Sequence, residues 1–300
     1  MEKMFLITFR LILFIGIAPL LSGLITRMKN NMRMRRGQSI FQPYYNLIKL
    51  FSKKEVISQT ASWIFRVTPF VVISSSIAAA MLIFANHIGD FLAVIFILAL
   101  GRFFLALSAL DTGSSFGGMG SSREMFISSL AEPALLLVVF SLFLQFGSTS
   151  ISAFGGMHAV TVSSVVAVIA LFLVTIAETS RVPVDNQETH LELTMVHEAM
   201  VLEYSGKSLA MIELASYIKQ MVFFLIIAQI AFPAAGPNFI NLMQTFLWFI
   251  WYLARMVIIA VVVALVEVSV AKMRLFRVAD FLAFAFVLGI VATVCAILGV

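Results

Sequence analysis

Residues 209–232 read LAMIELASYIKQMVFFLIIAQIAF, an apolar run with an acid, Glu213, and a base, Lys219, inside it. An α-helix needs ~20 predominantly apolar residues to cross ~30 Å of hydrocarbon, so this run is long enough to span a bilayer. Seven further stretches read the same way: Met4–Ile25, Ile64–Phe84, Phe91–Leu110, Met125–Phe146, Val160–Ala177, Leu242–Val266 and Val278–Leu298. Residues 160–177 lie near the lower limit of length. The runs are continuous and do not alternate with period two, which favours a helical bundle over a barrel. The expected fold is all-α, a polytopic membrane protein of about eight transmembrane helices.

Composition agrees. Hydrophobic residues make up 61% of the 300 and charged residues 12%, with a mean hydropathy of +1.05. A soluble protein needs more surface charge than that. The spans leave no room for a separate soluble unit, so residues 1–300 read as one integral-membrane domain. The single cysteine, Cys295, lies in the last span, which excludes disulfides and cysteine-ligated clusters. The first span begins with Glu2 and Lys3, lacks an obvious small-x-small cleavage site and exceeds a usual signal-peptide core. It reads as a retained helix.

Positive charge is confined to alternate loops. Residues 26–63 form a basic loop holding Arg27, Lys29, Arg33, Arg35, Arg36, Lys49, Lys53 and Lys54 against one acid, Glu55. Arg123, then Arg181 and Lys207, then Lys272, Arg274 and Arg277 occupy the third, fifth and seventh loops. Residues 86–90, 147–159 and 233–241 contain neither Lys nor Arg. The positive-inside rule then makes the odd loops cytoplasmic and puts both termini outside, in a multi-pass protein of the cell membrane. Lys3 and Arg10 dissent weakly. The +5 net charge is largely a topology signal and gives no support to nucleic-acid binding.

Three loops carry further pattern. From Ser39 onward, Ile40, Phe41, Tyr44, Tyr45, Leu47, Ile48 and Phe51 recur at three- and four-residue steps, with a basic rim that includes Lys49. This predicts an amphipathic helix, with Pro43 in its first turn. It serves either as an interfacial lid or as the wall of a cavity or docking site. Residues 111–124, DTGSSFGGMGSSRE, lack the Gly-Lys-Ser/Thr of a phosphate loop and read as a flexible connector, across which Asp111 and Arg123 could pair. Residues 178–208 are unexpectedly acidic for a cytoplasmic loop, with Asp185, Glu188, Glu192, Glu198 and Glu203. A helix there would crowd carboxylates on one face, where like charges oppose simultaneous ionisation. An ordinary solvated acidic loop is the alternative. His197-Glu198 lacks the second histidine of a zinc protease motif, and no span carries a facing histidine pair for haem.

Ionisable residues also lie within the spans. They are Arg102, Glu132, Glu178, Glu213, Lys219, Arg255 and Glu267. Such groups face a bundle interior and pair, and an ion or proton path is their default use. Glu178, Glu267 and Asp111 lie close enough to the cytoplasmic end to snorkel. Glu132, Glu213, Lys219 and Arg255 do not. A lysine that moves toward or away from Glu213 would release or recapture a proton there.

Several strings resemble a known family. Ala177-Glu-Thr-Ser-Arg-Val-Pro-Val-Asp185, Glu203-Tyr-Ser-Gly206 and the basic first loop (Arg35-Arg-Gly through Gln42, Lys49-Leu, Lys54-Glu) look like the membrane subunit of complex I beside the quinone chamber, NADH dehydrogenase subunit 1. Residues 99–114, 122–125, 131–133 and 190–206 are more similar still to its counterpart in membrane-bound group 4 nickel–iron (NiFe) hydrogenases of the formate hydrogenlyase and hydrogenase-4 type.

The resemblance implies that Glu178, Arg181, Asp185, Glu188, Glu192 and Glu203 belong to an acidic funnel between a peripheral module and the membrane arm. Glu132, Glu213, Lys219 and Arg255, as charges within spans, are candidates for the coupling path, and Arg35, Arg36, Tyr44, Tyr45, Lys49 and Lys54 of the basic loop are candidates for docking the peripheral module. The chain itself would bind no cofactor. The NiFe centre and Fe–S clusters would sit in partner subunits, hydrogenase-like large and small subunits with Fe–S proteins, beside antiporter-like membrane subunits in the bilayer. His190 stands where the quinone-reducing family usually has an acid, Val184 where it has an aromatic, and Glu213 one turn from its acid. These departures fit a hydrogenase or related ferredoxin-linked complex better than a quinone-binding subunit. A stand-alone secondary transporter is a third reading, with no obvious repeat to support it.

The topology has a direct test. Alkaline phosphatase fused after Val300 is expected to be active and a green fluorescent protein fusion at the same point dark; the opposite pattern reverses the orientation.

Overall fold

The computed structural model describes the chain outside residues 1, 59–60, 85–88, 155–160, 187–194, 233–241 and 300. The described helices are α1 (Glu2–Met32), α2 (Gln42–Ser52), α3 (Trp63–Phe84), α4 (Phe91–Asp111), α5 (Ser115–Phe146), α6 (Ile151–Phe154), α7 (Val162–Glu178), α8 (His197–Val201), α9 (Gly206–Ala231), α10 (Leu242–Ser269) and α11 (Leu275–Leu298). Seven of them (α1, α3, α4, α5, α9, α10 and α11) are long and apolar enough to cross a membrane. The eighth predicted span is the shorter α7, which starts after Thr161 because a capping box fixes it there. Ser164 N donates to Thr161 Oγ1 at 3.2 Å and Thr161 N to Ser164 Oγ at 3.1 Å.

Helix α9 forms the centre, packed against α1, α2, α3, α7 and α10. In its most apolar window 67% of the residues are buried, against 28% for α11, which packs on α5 and α7 at the rim. Phe96, Phe103, Phe140, Phe284 and Ile297 stand exposed around the outside. In water such a surface would aggregate, whereas in lipid it is matched to its solvent.

The amphipathic helix of the first loop is present as α2. Leu47 is buried toward α1 and α9, while Phe41, Tyr45, Ile48 and Phe51 stay exposed. Exposed Lys49, Lys53 and Lys54 line its polar side. An outward apolar stripe beside lysines suits the membrane–water boundary.

The Gly/Ser-rich stretch corrects an expectation. Residues 115–124 are not a connector but the first turns of α5, with Ser114 Oγ accepting from Gly117 N at 3.1 Å. Tertiary packing overrides their poor helix propensity. A Cβ on Gly120 would come within 3.0 Å of the Ala199 Cβ and the Val196 carbonyl, so its absence lets α8 lie against α5. Asp111 and Arg123 do not pair: the Asp111 carboxylate accepts from Ser62 N at 2.8 Å, and Arg123 donates to the Met195 carbonyl at 3.1 Å.

Close approach also matters at Gly101, where a Cβ would fall 2.3 Å from Ser75 Oγ on α3. The contact seats α4 and its next residue, Arg102. Gly101→Val is expected to cost about 1–3 kcal/mol by overpacking, read as a lowered midpoint of thermal unfolding in detergent. Gly101→Ala should cost less because the Ser75 hydroxyl can rotate away.

Candidate functional site

Four helices each bring one charged side chain to the bundle interior. Arg102 of α4 reaches Glu132 of α5 at 2.6 Å through one terminal nitrogen and donates to Glu178 of α7 through the other. The second Glu178 oxygen takes Lys219 of α9 at 2.8 Å. Signs alternate along Glu132, Arg102, Glu178 and Lys219. The side chains of Arg102 and Glu178 are 7% and 3% exposed, but Glu132 is 43% exposed at the bundle wall. The chain of charges thus runs from the wall of the bundle to its centre.

A second knot ties together the C-terminal ends of α1 and α10 and the residues after α7. Glu267 of α10 binds Lys29 of α1 and Arg181, each at 3.1 Å. Arg181 also donates to Gln220 Oε1 at 2.8 Å and Ser22 Oγ at 3.2 Å. Gln220 follows Lys219 directly, so one turn of α9 touches both networks. Asp185 forms a third knot. It accepts from the backbone N–H of Asn186, Val196 and His197 at 2.8, 3.0 and 3.1 Å and binds Lys272 at 2.8 Å. It thereby fixes the start of α8 and holds the α10–α11 turn, where Met273 N donates to the Pro183 carbonyl at 2.9 Å.

Between these groups lies a cleft of about 60 Å³, bordered by Arg102, Glu124, Glu178, Arg181, His197 and Lys219 together with apolar Leu98, Leu105 and Ile212. Tyr204, just before α9, closes an adjoining apolar cluster. Its ring stacks on Phe65 at 4.0 Å and its hydroxyl donates to the Phe65 carbonyl at 3.1 Å. Burial pushes the Tyr204 phenol up to about 12, so it stays neutral at physiological pH.

Of the residues singled out in the sequence, Glu178 and Lys219 meet directly, Glu132 joins them through Arg102, and Arg181 and Asp185 anchor the flanking knots. Lys219 stands on Glu178 rather than on Glu213. Glu213 is half-buried on α9 with no cation partner among the described residues, and its neighbouring charge is another acid, Glu198. Glu203 is exposed. Glu188, His190 and Glu192 lie outside the described residues.

Arg255 is buried elsewhere, against Trp251 and Tyr252. Arg35, Arg36, Lys49 and Lys54 are exposed, as is Tyr45, while the Tyr44 hydroxyl donates to the Gly16 carbonyl of α1. Glu178 and Glu267 do not snorkel, being 6% and 2% exposed. Cations from several elements surround them in place of water, Arg102 and Lys219 at Glu178 and Lys29 and Arg181 at Glu267. Sequence reasoning passed over Arg102, Lys29 and Gln220 as site residues. The signal for Arg102 was available, a lone cation in an otherwise apolar run. Among the described residues no three His, Cys, Asp or Glu gather as a metal ligand set.

These features define a polytopic helical membrane protein with an ion-pair chain through its interior. The family described as NADH dehydrogenase matches residues 4–298, and the chain belongs to it. It is 32% identical over 275 residues to hydrogenase-4 component C of Escherichia coli strain K12, covering 88% of this chain and 86% of that one. To formate hydrogenlyase subunit 4 of the same organism it is 31% identical over 277 residues, covering 88% and 89%. To NADH-quinone oxidoreductase subunit 8 of Rhodothermus marinus it is 28% identical over 214 residues, 64% of this chain and 60% of that one. In fold it matches a chain of the membrane-bound sulfane sulfur reductase, an archaeal respiratory membrane complex, with a TM-score of 0.86 at 17% identity, covering 99% of this chain and 100% of that one.

Arg102 is the hub of the site. Arg102→Met strands one buried carboxylate on Lys219 alone and is expected to cost about 3–5 kcal/mol, measured by thermal unfolding in detergent. Arg102→Lys should recover only part of this, because an ammonium cannot bridge two carboxylates as the planar guanidinium does. Arg102→Met combined with Glu178→Gln should lose less than the sum of the two.

Proposed function

We propose that this chain is a non-catalytic membrane subunit of a complex-I-related, ion-translocating respiratory complex of the hydrogenase type. It anchors a peripheral redox module on its cytoplasmic face and couples electron transfer there to movement of H⁺ or Na⁺. Hydrogenase-like large and small subunits with Fe–S proteins hold the NiFe centre and the clusters, and antiporter-like subunits lie alongside in the cell membrane. Both termini face outward. The relatives support this reading by name and by coverage of most of the chain.

The observation that carries the coupling role is the alternating run Glu132–Arg102–Glu178–Lys219. In hydrocarbon these charges hold one another in place, so a change of charge at one end redistributes the others. A negative charge arriving on a redox partner above the cleft draws Lys219 away from Glu178. Relieved of one cation, Glu178 takes a proton or admits a cation from the cleft. Return of Lys219 expels it along Arg102 toward Glu132 at the wall, where a neighbouring subunit receives it. Glu213, about 1.7 turns from Lys219 and without a cation partner among the described residues, is the alternative resting place for the ammonium.

The test is Lys219→Ala in the intact complex, in inverted membrane vesicles. Ion movement is expected to fall at least about tenfold, equivalent to ~1.4 kcal/mol of lost transition-state stabilisation, while redox turnover and subunit assembly are retained. Lys219→Arg should restore part of the gradient. An undiminished gradient in Lys219→Ala removes Lys219 from the mechanism.

A further inference from the structure

Arg255 differs from the other cations described at the site. Arg102, Lys219 and Lys29 each stand on a carboxylate. Arg255 is 3% exposed, its Nε is buried without an acceptor, and no ion pair to its guanidinium occurs among the described residues. What it does have is aromatic faces, with its guanidinium carbon 4.8 Å from the Trp251 ring centroid and 5.3 Å from that of Tyr252. Cation–π contact offsets part of the desolvation of a guanidinium but supplies no hydrogen-bond acceptor.

Its depth narrows what can complete it. Arg255 lies midway along α10, with roughly 21 Å of helix between it and Ser269. The hydrocarbon is ~30 Å thick, so a lipid phosphate lies roughly 15 Å from the centre, beyond the reach of the side chain. Helix α10 packs within this chain mainly on α1 and α9. Its other side is an apolar stripe of Ile250, Trp251, Ile258, Val262 and Leu265, exposed, with the small Ala254 exposed beside Arg255. A small residue in such a stripe is where helix backbones approach closely in a membrane.

We propose that Arg255 is the seat of an intersubunit ion pair, and that the face of α10 around Ala254 receives a transmembrane helix of another subunit bearing an Asp or Glu at mid-depth. Charge complementarity selects that occupant, since a wholly apolar helix would leave the guanidinium unsatisfied. The guanidinium is covered in this chain, so the exposed Trp251 ring beside it swings aside as the carboxylate enters, while Tyr252 keeps its contact. Arg255 is then a docking residue, apart from the coupling chain. The inference rests on the reading of the chain as one subunit of a membrane complex, but not on ion movement.

The test uses the intact complex in native membranes. A photo-crosslinking benzoylphenylalanine is placed at position 254 of the otherwise unaltered chain, and the adduct is mapped by mass spectrometry. An adduct with a span that carries a mid-depth Asp or Glu is expected. An adduct with lipid alone, or with a span lacking such an acid, overturns the proposal. Arg255→Met and Arg255→Glu should each lower retention of that subunit on mild detergent extraction by about tenfold or more. Reversing the partner's acid to Arg should restore it with Arg255→Glu only. Unchanged retention in both variants overturns the proposal as well. A Lys219→Ala complex that keeps its gradient yet gives the adduct would sink the coupling mechanism and leave this pairing standing.

Discussion

An ion in hydrocarbon has to find a counter-ion, and in this protein Glu178 is where that requirement is most concentrated. Its two oxygens are divided between Arg102 on α4 and Lys219 on α9, so one carboxylate at the end of α7 joins three helices. Hydrophobic matching cannot specify such a junction, because the lipid is as apolar as the side chains that face it. What sets the relative rotation of the central helices is that their charges meet. The glycine before Arg102 and the serines around the cleft are consistent with this, since they clear space for polar side chains at the bundle's centre.

The end of the bundle where α1 and α10 finish is organised by the same rule. Glu267 gathers Lys29 and Arg181, and Asp185 gathers three backbone N–H groups and Lys272. Through Arg181 and Asp185 these knots tie the segment that follows α7 to α1, α9, α10 and the turn after α10. The cleft therefore opens between charged walls held by several elements at once. Gln220, beside Lys219, carries a hydrogen bond from Arg181. The turn of α9 that carries Lys219 is thereby joined to the segment that follows α7.

Much of this architecture was written locally in the sequence. Every span is a continuous apolar run, α2 shows its three- and four-residue spacing, and charges inside spans stand out against apolar neighbours. Pairings did not follow from the sequence, since which acid Lys219 meets depends on how α7 and α9 rotate against each other. Glu178 and Glu267 looked like surface groups because each closes a helix. The cations that surround them were invisible to a reading along the chain. Residues 115–124 looked like a connector because glycine and serine are weak helix formers, yet the small size that weakens them alone lets α5 pack against α4 and α8.

The position of Glu132 has a consequence for the protein's life outside its complex. With 43% of its side chain open at the bundle wall, a freshly inserted copy presents a polar carboxyl group sideways to acyl chains. The bilayer must pucker there to bring in water or headgroups, at an energetic cost for every orphan molecule. That dent disappears when a neighbour covers the site. Solitary copies are therefore the less stable form, and over-production without the rest of the assembly should yield material that membrane proteases clear.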